Sequence, residues 1–216
     1  STRLCRDLLR EHPGQFDWIY VDPSRRSELG GRVFRLEDCV PNVVEEVDLL
    51  LSRSKNLLIK TAPLLDIQAG LRELSQVREI HVVAADNEVK ELLWVLGNPT
   101  EQIQVTAVNI TGEIVEKFKA PLEQRPETAL GYPSRYLYEP NAAIMKSGLF
   151  GSLAEQYQLK KLHPNSHLFT SSELIDFPGR RFVITEQLPF KRKKIKKALG
   201  GTKANITTRN FPFDVA

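Results

Sequence analysis

The chain has 216 residues, 41% hydrophobic and 26% charged, which is enough to bury a sizeable core in one large domain or two small ones. Its two cysteines, Cys5 and Cys39, form neither a disulfide framework nor a metal pattern, and no apolar run approaches the roughly 18 residues of a membrane helix. Few cysteines and no signal peptide point to a reducing, cytoplasmic setting. The net charge of +3 is unevenly spread: nine basic residues and one acid, Glu186, fall between Pro178 and Lys203, which points to a polyanionic partner for that segment.

Leu4, Leu8 and Leu9 give an opening helical face. Phe16 to Val21 is a short apolar run that reads as a buried strand. Pro41 at a first helical position opens a helix carrying Val43, Val44, Val47, Leu50 and Leu51 on one face. Asn56 to Lys60 reads as a strand ending in Thr61-Ala62-Pro63, and Asp66 caps a helix through about Leu74. Val77 to Ala85 is a further strand. Asp86 or Asn87 then caps a helix bearing Val89, Leu92, Leu93 and Leu96, closed by Gly97 and Pro99. Ile103 to Ile110 is a strand that Thr111-Gly112-Glu113 turns into Ile114 to Phe118 as a hairpin. Alternating strands and helices of these lengths imply an α/β fold with a mostly parallel sheet. Such a half-sheet would leave an edge exposed, and both ends of the chain read as cuts in a longer protein, so a preceding segment is expected to supply further strands.

Ala120 to Pro133, with three prolines, one glycine and several charges, reads as a linker. Beyond it lies a small α+β module. It has an aromatic segment from Tyr136 leading into a helix entered at Pro140-Asn141, and Thr170-Ser171-Ser172-Glu173 has the spacing of a capping box. Arg181 to Glu186 reads as a strand, Lys191 to Leu199 as a basic helix stopped by Gly200-Gly201, and Ala204 to Thr208 as another strand.

Asp22-Pro23-Ser24-Arg25-Arg26 closes the first strand. Ligands of open α/β sheets bind outside the carboxyl ends of the strands. A carboxylate there can accept a hydrogen bond from a substrate amine or hydroxyl, Pro23 stiffens the loop, and Arg25 and Arg26 can grip phosphate or carboxylate. The competing reading is a turn with a local Asp–Arg ion pair. The second cluster is Lys191, Arg192, Lys193, Lys194, Lys196 and Lys197, with Arg180, Arg181, Lys203 and Arg209 nearby in sequence. Such cations attract phosphates without base specificity, and Phe182, Phe190, Phe211 and Phe213 interleave for stacking on unpaired bases. A solvated helix face is the alternative. His163 and His167 are four apart, but Pro164 between them opposes one helical face, and no metal is expected. His81 reads as core or edge, Cys39 as a buried thiol, and Trp18 and Trp94 as core.

The segments Asp22-Pro-Ser-Arg-Arg, Gly31-Arg-Val-Phe-Arg-Leu36, Asp38-Cys-Val-Pro-Asn42 and Ile59-Lys-Thr-Ala-Pro-Leu-Leu-Asp66 together resemble a family of bacterial class I S-adenosylmethionine-dependent methyltransferases with a C-terminal THUMP-like domain. Tyr136-Leu-Tyr-Glu-Pro-Asn-Ala-Ala143, Lys161-Leu-His-Pro-Asn-Ser-His167, Phe177-Pro-Gly-Arg-Arg-Phe182 and Ala204-Asn-Ile-Thr-Thr-Arg-Asn-Phe-Pro212 extend that resemblance over nearly the whole chain. It implies the C-terminal half of a Rossmann-like methyltransferase sheet at 1–119, a linker at 120–133, a ferredoxin-like segment at 134–176 and a basic THUMP-like, RNA-binding segment at 177–216. Asp22-Pro23 would be the fourth methyltransferase motif, where the acid faces both donor and acceptor. Asp22 would thus be catalytic with Pro23, Arg25 and Arg26, and also part of a cofactor site. The glycine-rich loop that holds the methyl donor does not occur in this chain, so the stretch alone is expected to be inactive. Ser24 and Arg25 replace the Pro and aromatic of amine-methylating relatives, which leaves the methylated atom open. A non-catalytic scaffold binding RNA or ribosomal particles on the same fold is the alternative.

Overall fold

A computed structural model describes Leu9, 14–24, 36–37, 39–123 and 126–209. The chain divides into two compact units, one formed by Ser1–Arg125 with Asn141–Leu149, the other by Pro126–Pro140 with Phe150–Ala216. The helical face read around Leu4 and Leu8 lies outside the described residues.

The first unit is built on β1 (Phe16–Val21), β2 (Ser54–Thr61), β3 (Val77–Ala85), β4 (Glu88–Gly97), β5 (Gln104–Thr111) and β6 (Ile114–Pro121). They form one sheet in the order β1-β2-β4-β3-β5-β6. The β1–β2 and β3–β5 pairs are parallel, while β4 runs opposite to both β2 and β3, and β6 opposite to β5. The sheet is therefore mixed rather than mostly parallel. Four strands point the same way, so the ends of β1, β2, β3 and β5 share one edge with the starts of β4 and β6.

Residues 88–97 are the strand β4, not a helix. Asp86 and Asn87 both adopt left-handed backbone, at φ 51° and 60°. Two successive left-handed residues make the tight turn whose twist matches a hairpin, and Ala85 pairs directly with Glu88. The spacing of Val89, Leu92, Leu93 and Leu96 suits a helix, but it also suits a central strand buried on both faces. Leu92, Trp94 and Leu96 are fully buried, and Val95 nearly so.

Helix α1 (Val43–Arg53) is capped by Asn42, whose side chain accepts from Val44 N at 3.1 Å, so Pro41 precedes the cap. Helix α2 (Ile67–Glu73) starts as expected: Asp66 Oδ1 accepts from Ala69 N at 2.9 Å. Gly70 of α2 lies over Trp94, where an added Cβ would stand 2.4 Å from Cη2. Trp94 Nε1 donates to Thr61 Oγ1 at 2.9 Å, which satisfies the one polar group of this buried ring. Trp18, expected in the core, is instead 52% exposed on β1, the outermost strand of the sheet on that side among the described residues. Helix α3 (Ala142–Ser147) packs on β3, β4 and β5.

The second unit is an antiparallel sheet in the order β10-β7-β9-β8, from β7 (Tyr136–Pro140), β8 (Lys160–His163), β9 (Ser166–Ser171) and β10 (Gly179–Val183). Helix α4 (Phe150–Gln156) supplies buried Leu153, and Tyr138, Phe169 and Phe177 complete the core. Tyr138 donates its hydroxyl to Glu173 O at 2.6 Å and accepts from Ile175 N at 3.0 Å. Segment 126–131 is drawn in along β8, where Lys161 exchanges backbone hydrogen bonds with Ala129 and Gly131. No helix follows Ser172-Glu173. Ser171 Oγ accepts from Glu173 N at 3.1 Å, a local turn in place of the expected capping box. The basic helix α5 (Arg192–Leu199) is present and ends at left-handed Gly200. Residues 204–208, expected as a strand, pair with no strand among the described residues.

Candidate functional site

Asp22 stands immediately after the last β1–β2 pair, Val21 with Ile59. Pro23 is buried, and Ser24 and Val40 exchange two backbone hydrogen bonds of 2.8 and 3.1 Å. That bridge ties the loop to the entry of α1, just before the cis Val40–Pro41 bond. Leu36 is buried there and donates its amide to Glu73 Oε2 at 2.7 Å. The Asp22 backbone is thus anchored on both sides while its side chain stays half exposed. Arg25 and Arg26, the expected companions of Asp22, lie outside the described residues.

The partner that the structure gives Asp22 is Lys60. Its Nζ is 2.5 Å from Asp22 Oδ2 and 3.9 Å from Glu91 Oε1. Parallel pairing puts the residue after Val21 level with the residue after Ile59, which brings the two charges together from sites 38 residues apart in number. The hydrogen bond to Asp22, more than the opposing desolvation, raises the Lys60 amine above its ordinary pKa. Sequence reading missed Lys60 and Glu91. The available signal was a cation directly after the apolar run Leu57-Leu58-Ile59.

The same edge carries a polar network that was also missed. Asn109 Oδ1 accepts from Asn87 N at 3.0 Å, and Asn109 Nδ2 donates to Glu116 Oε2 at 3.0 Å. Asn141 Nδ2 donates to the same carboxylate oxygen at 2.9 Å, while its Oδ1 caps α3 through Ile144 N. Asn87 Oδ1 takes the Ala142 amide at 2.7 Å. The start of α3 is therefore fastened to the β3–β4 turn and to the β5–β6 hairpin. Asp66 is engaged as the α2 cap.

The basic residues belong to the second unit. Arg180 and Arg209 both bond to the nearly buried carboxylate of Glu139, one to each oxygen. Arg181 pairs with Asp176 at 3.2 Å. Lys191, Arg192, Lys193, Lys194, Lys196, Lys197 and Lys203 are exposed, and none has an ion-pair partner among the described residues. Three of these cations crowd the first turn of α5, which has no acid and no side-chain cap. Cations there oppose the positive end of the helix dipole. A helix arranged for its own stability would carry acids at that position.

Among the described residues no group of three or more His, Cys, Asp or Glu side chains is placed to hold a metal ion. His167 stacks on Phe150 with ring centroids 3.8 Å apart, and His81 Nε2 lies 3.3 Å from Glu79 Oε2. Among the described residues no helix is long and apolar enough to cross a membrane.

Residues 136–178 match a ferredoxin-like domain family, and residues 179–216 match a THUMP domain-like family. The chain is an α/β protein with a six-stranded mixed sheet and a second, four-stranded module, and it carries ferredoxin-like and THUMP-like segments at its C-terminal end. It is similar to the crystal structure of a candidate methyltransferase from Porphyromonas gingivalis W83, with 36% sequence identity and a TM-score of 0.85. That similarity covers 98% of this chain and 53% of the other, so the chain spans about half the length of the protein it matches. No curated protein matches.

Proposed function

We propose that this chain is the acceptor-side part of an S-adenosylmethionine-dependent methyltransferase that acts on RNA, in a cytoplasmic setting. Its parts would be a partial catalytic domain at 1–119, a linker at 120–133, a ferredoxin-like segment at 134–176 and an RNA-binding segment at 177–216. The observation that carries the reading is the placement of Asp22 at the carboxyl edge of the parallel β1–β2 pair, anchored by the Ser24–Val40 bridge and hydrogen-bonded to Lys60. The similarity to the Porphyromonas gingivalis protein supports it.

In this reading the Asp22 carboxylate accepts a hydrogen bond from the amine or hydroxyl to be methylated and so orients it. Pro23 fixes the loop, and Arg25 and Arg26 hold a phosphate of the acceptor. The residues present do not fit a complete S-adenosylmethionine site. No Gly-x-Gly-x-Gly loop occurs in the chain, and an acceptor-only carboxylate cannot cradle the donor's amino acid end alone. Donor binding is assigned to the longer protein. The exposed cations of α5, with Lys203, meet RNA phosphates.

The test is the full-length protein with labelled S-adenosylmethionine and total cellular RNA. Label is expected in RNA, and Asp22→Ala is expected to abolish it without changing the melting temperature. The 216-residue chain alone is expected not to bind the donor by calorimetry. Full turnover by the Asp22 variant overturns its role. RNA binding without any incorporation replaces the enzyme by a scaffold.

A further inference from the structure

The two faces of the six-stranded sheet differ. Across one face the successive cross-strand partners Ile59, Trp94, Ile80, Val105 and Ala120 are all buried, and Gly70 of α2 lies over Trp94. Across the other, Tyr20 pairs with Leu58, Leu58 with Val95, and Val83 with Val108. Only Val95 of these is buried. Tyr20 is 56% exposed, and Trp18, two residues back on the same side of β1, is 52% exposed. Leu93, on that face of β4, is half-buried.

These residues are apolar, so the open face has the composition of a covered one. Parallel strands occur with both faces covered, and β1–β2 and β3–β5 are parallel pairs. Further strands beside β1 would leave this face as open as before, because only a layer packed on it removes it from water. Arg78 points the same way. Gly97 leaves room for its guanidinium, since a Cβ there would stand 3.3 Å from Nη1. The guanidinium lies 5.9 Å from the Trp18 ring centroid, and its Nε is buried with no hydrogen-bond partner. A buried donor left without an acceptor is costly, so an acceptor is missing from this end of the face.

We propose that this face takes a layer of amphipathic helices from the remainder of a longer protein, apolar toward Tyr20, Leu58 and Val83 and bringing a hydrogen-bond acceptor to Arg78. About half of the Porphyromonas gingivalis protein lies outside the match, which is enough chain for such a layer. The docking is independent of methyl transfer and of RNA binding.

The test is acrylamide quenching of tryptophan fluorescence in the full-length protein and in the 216-residue chain. Trp94 is fully buried, so Trp18 is the quenchable tryptophan of this chain. Trp18→Phe is expected to remove a readily quenched component from the 216-residue chain and none from the full-length protein. Arg78→Met is expected to lower the melting temperature of the full-length protein, where the acceptor is left unpaired. In the 216-residue chain the same change removes a donor that has no partner, so the melting temperature should stay or rise. A readily quenched Trp18 in the full-length protein overturns the proposal, whether or not the shorter chain folds by itself. Equal melting shifts of Arg78→Met in the two proteins overturn the acceptor assigned to Arg78. Protection of Trp18 that the full-length protein loses on dilution shows a second copy on the face, and also overturns the proposal.

Discussion

Lys60 Nζ lies 2.5 Å from Asp22 Oδ2, so charges from the ends of two parallel neighbours meet at the carboxyl edge of the β1–β2 pair. The raised Lys60 pKa makes this pair a stabilising contact below the ordinary lysine value of 10.5, lost as pH rises through the folded-state value. The pair is exposed, so its share of folding stability is small. Its effect is on where the carboxylate points. In the full-length protein, Lys60→Met is expected to lower methyl incorporation into RNA by about ten- to a hundredfold, with an unchanged melting temperature. Undiminished turnover would remove Lys60 from the site.

Asn87 serves both the hairpin and α3. Its backbone is left-handed at φ 60°, and its Oδ1 accepts the Ala142 amide at 2.7 Å. The two roles separate by substitution. Asn87→Gly keeps the turn and loses the side-chain bond, at a cost of about 1 kcal/mol. Asn87→Ala loses the bond and also forces a Cβ into left-handed backbone, adding about 1–2 kcal/mol. Chemical denaturation should rank wild type above glycine above alanine. Equal stability of the two variants would mean that the turn carries no strain for an ordinary side chain.

Most of the strands were legible because β1, β2, β3 and β5 are short apolar runs bounded by caps or turns, and two caps, Asp66 and Asn141, declare themselves by residue type. Residues 88–97 were not legible. A strand buried on both faces lacks alternation, and its leucines fell by chance on helical spacing. The Asp86-Asn87 pair was the deciding signal, since both residue types tolerate left-handed backbone as readily as they cap helices. The place of Asp22 directly after a strand was legible. Lys60 was not, because its meaning comes from the β1–β2 register, a tertiary fact. The Glu139 clasp was equally hidden, since Arg209 reaches it across 70 positions of sequence.

His167 should make the second unit sensitive to acid. Burial first, and the nearby Lys161 second, lower its pKa from the ordinary 6.5. Lys161 donates to Pro164 O at 2.6 Å and lies over the Phe150 ring that His167 stacks on, and its own pKa is lowered by desolvation. The folded state therefore favours neutral His167, and below pH 6.5 the unfolded chain binds the extra proton more readily. Stability is full above that value and declines as pH falls below it, until the folded-state value is passed. Thermal melts across this range should show the decline in wild type, and His167→Phe should reduce it. An identical pH profile for the two proteins would clear His167 of the effect.

Glu139 controls how many cations the basic segment can offer. Its carboxylate, 10% exposed, holds Arg180 and Arg209, whose side chains remain 56% and 38% exposed. Glutamine has the same shape, yet only one oxygen and no charge, so Glu139→Gln cannot satisfy both guanidiniums. The variant should lose stability, because hydrogen bonds to a charged group contribute about 1.5–3 kcal/mol in typical cases. It should also free at least one guanidinium for phosphate. Each added phosphate contact on a single strand steepens the plot of log affinity against log salt by about 0.7. Anisotropy titrations of an oligouridylate at several salt concentrations, at a temperature where both proteins are folded, should therefore show tighter low-salt binding and a steeper slope for Glu139→Gln. An unchanged slope alongside lower stability would mean that Arg180 and Arg209 serve only to fasten residues around 209 to β7, and that RNA contact rests on the α5 cations and Lys203.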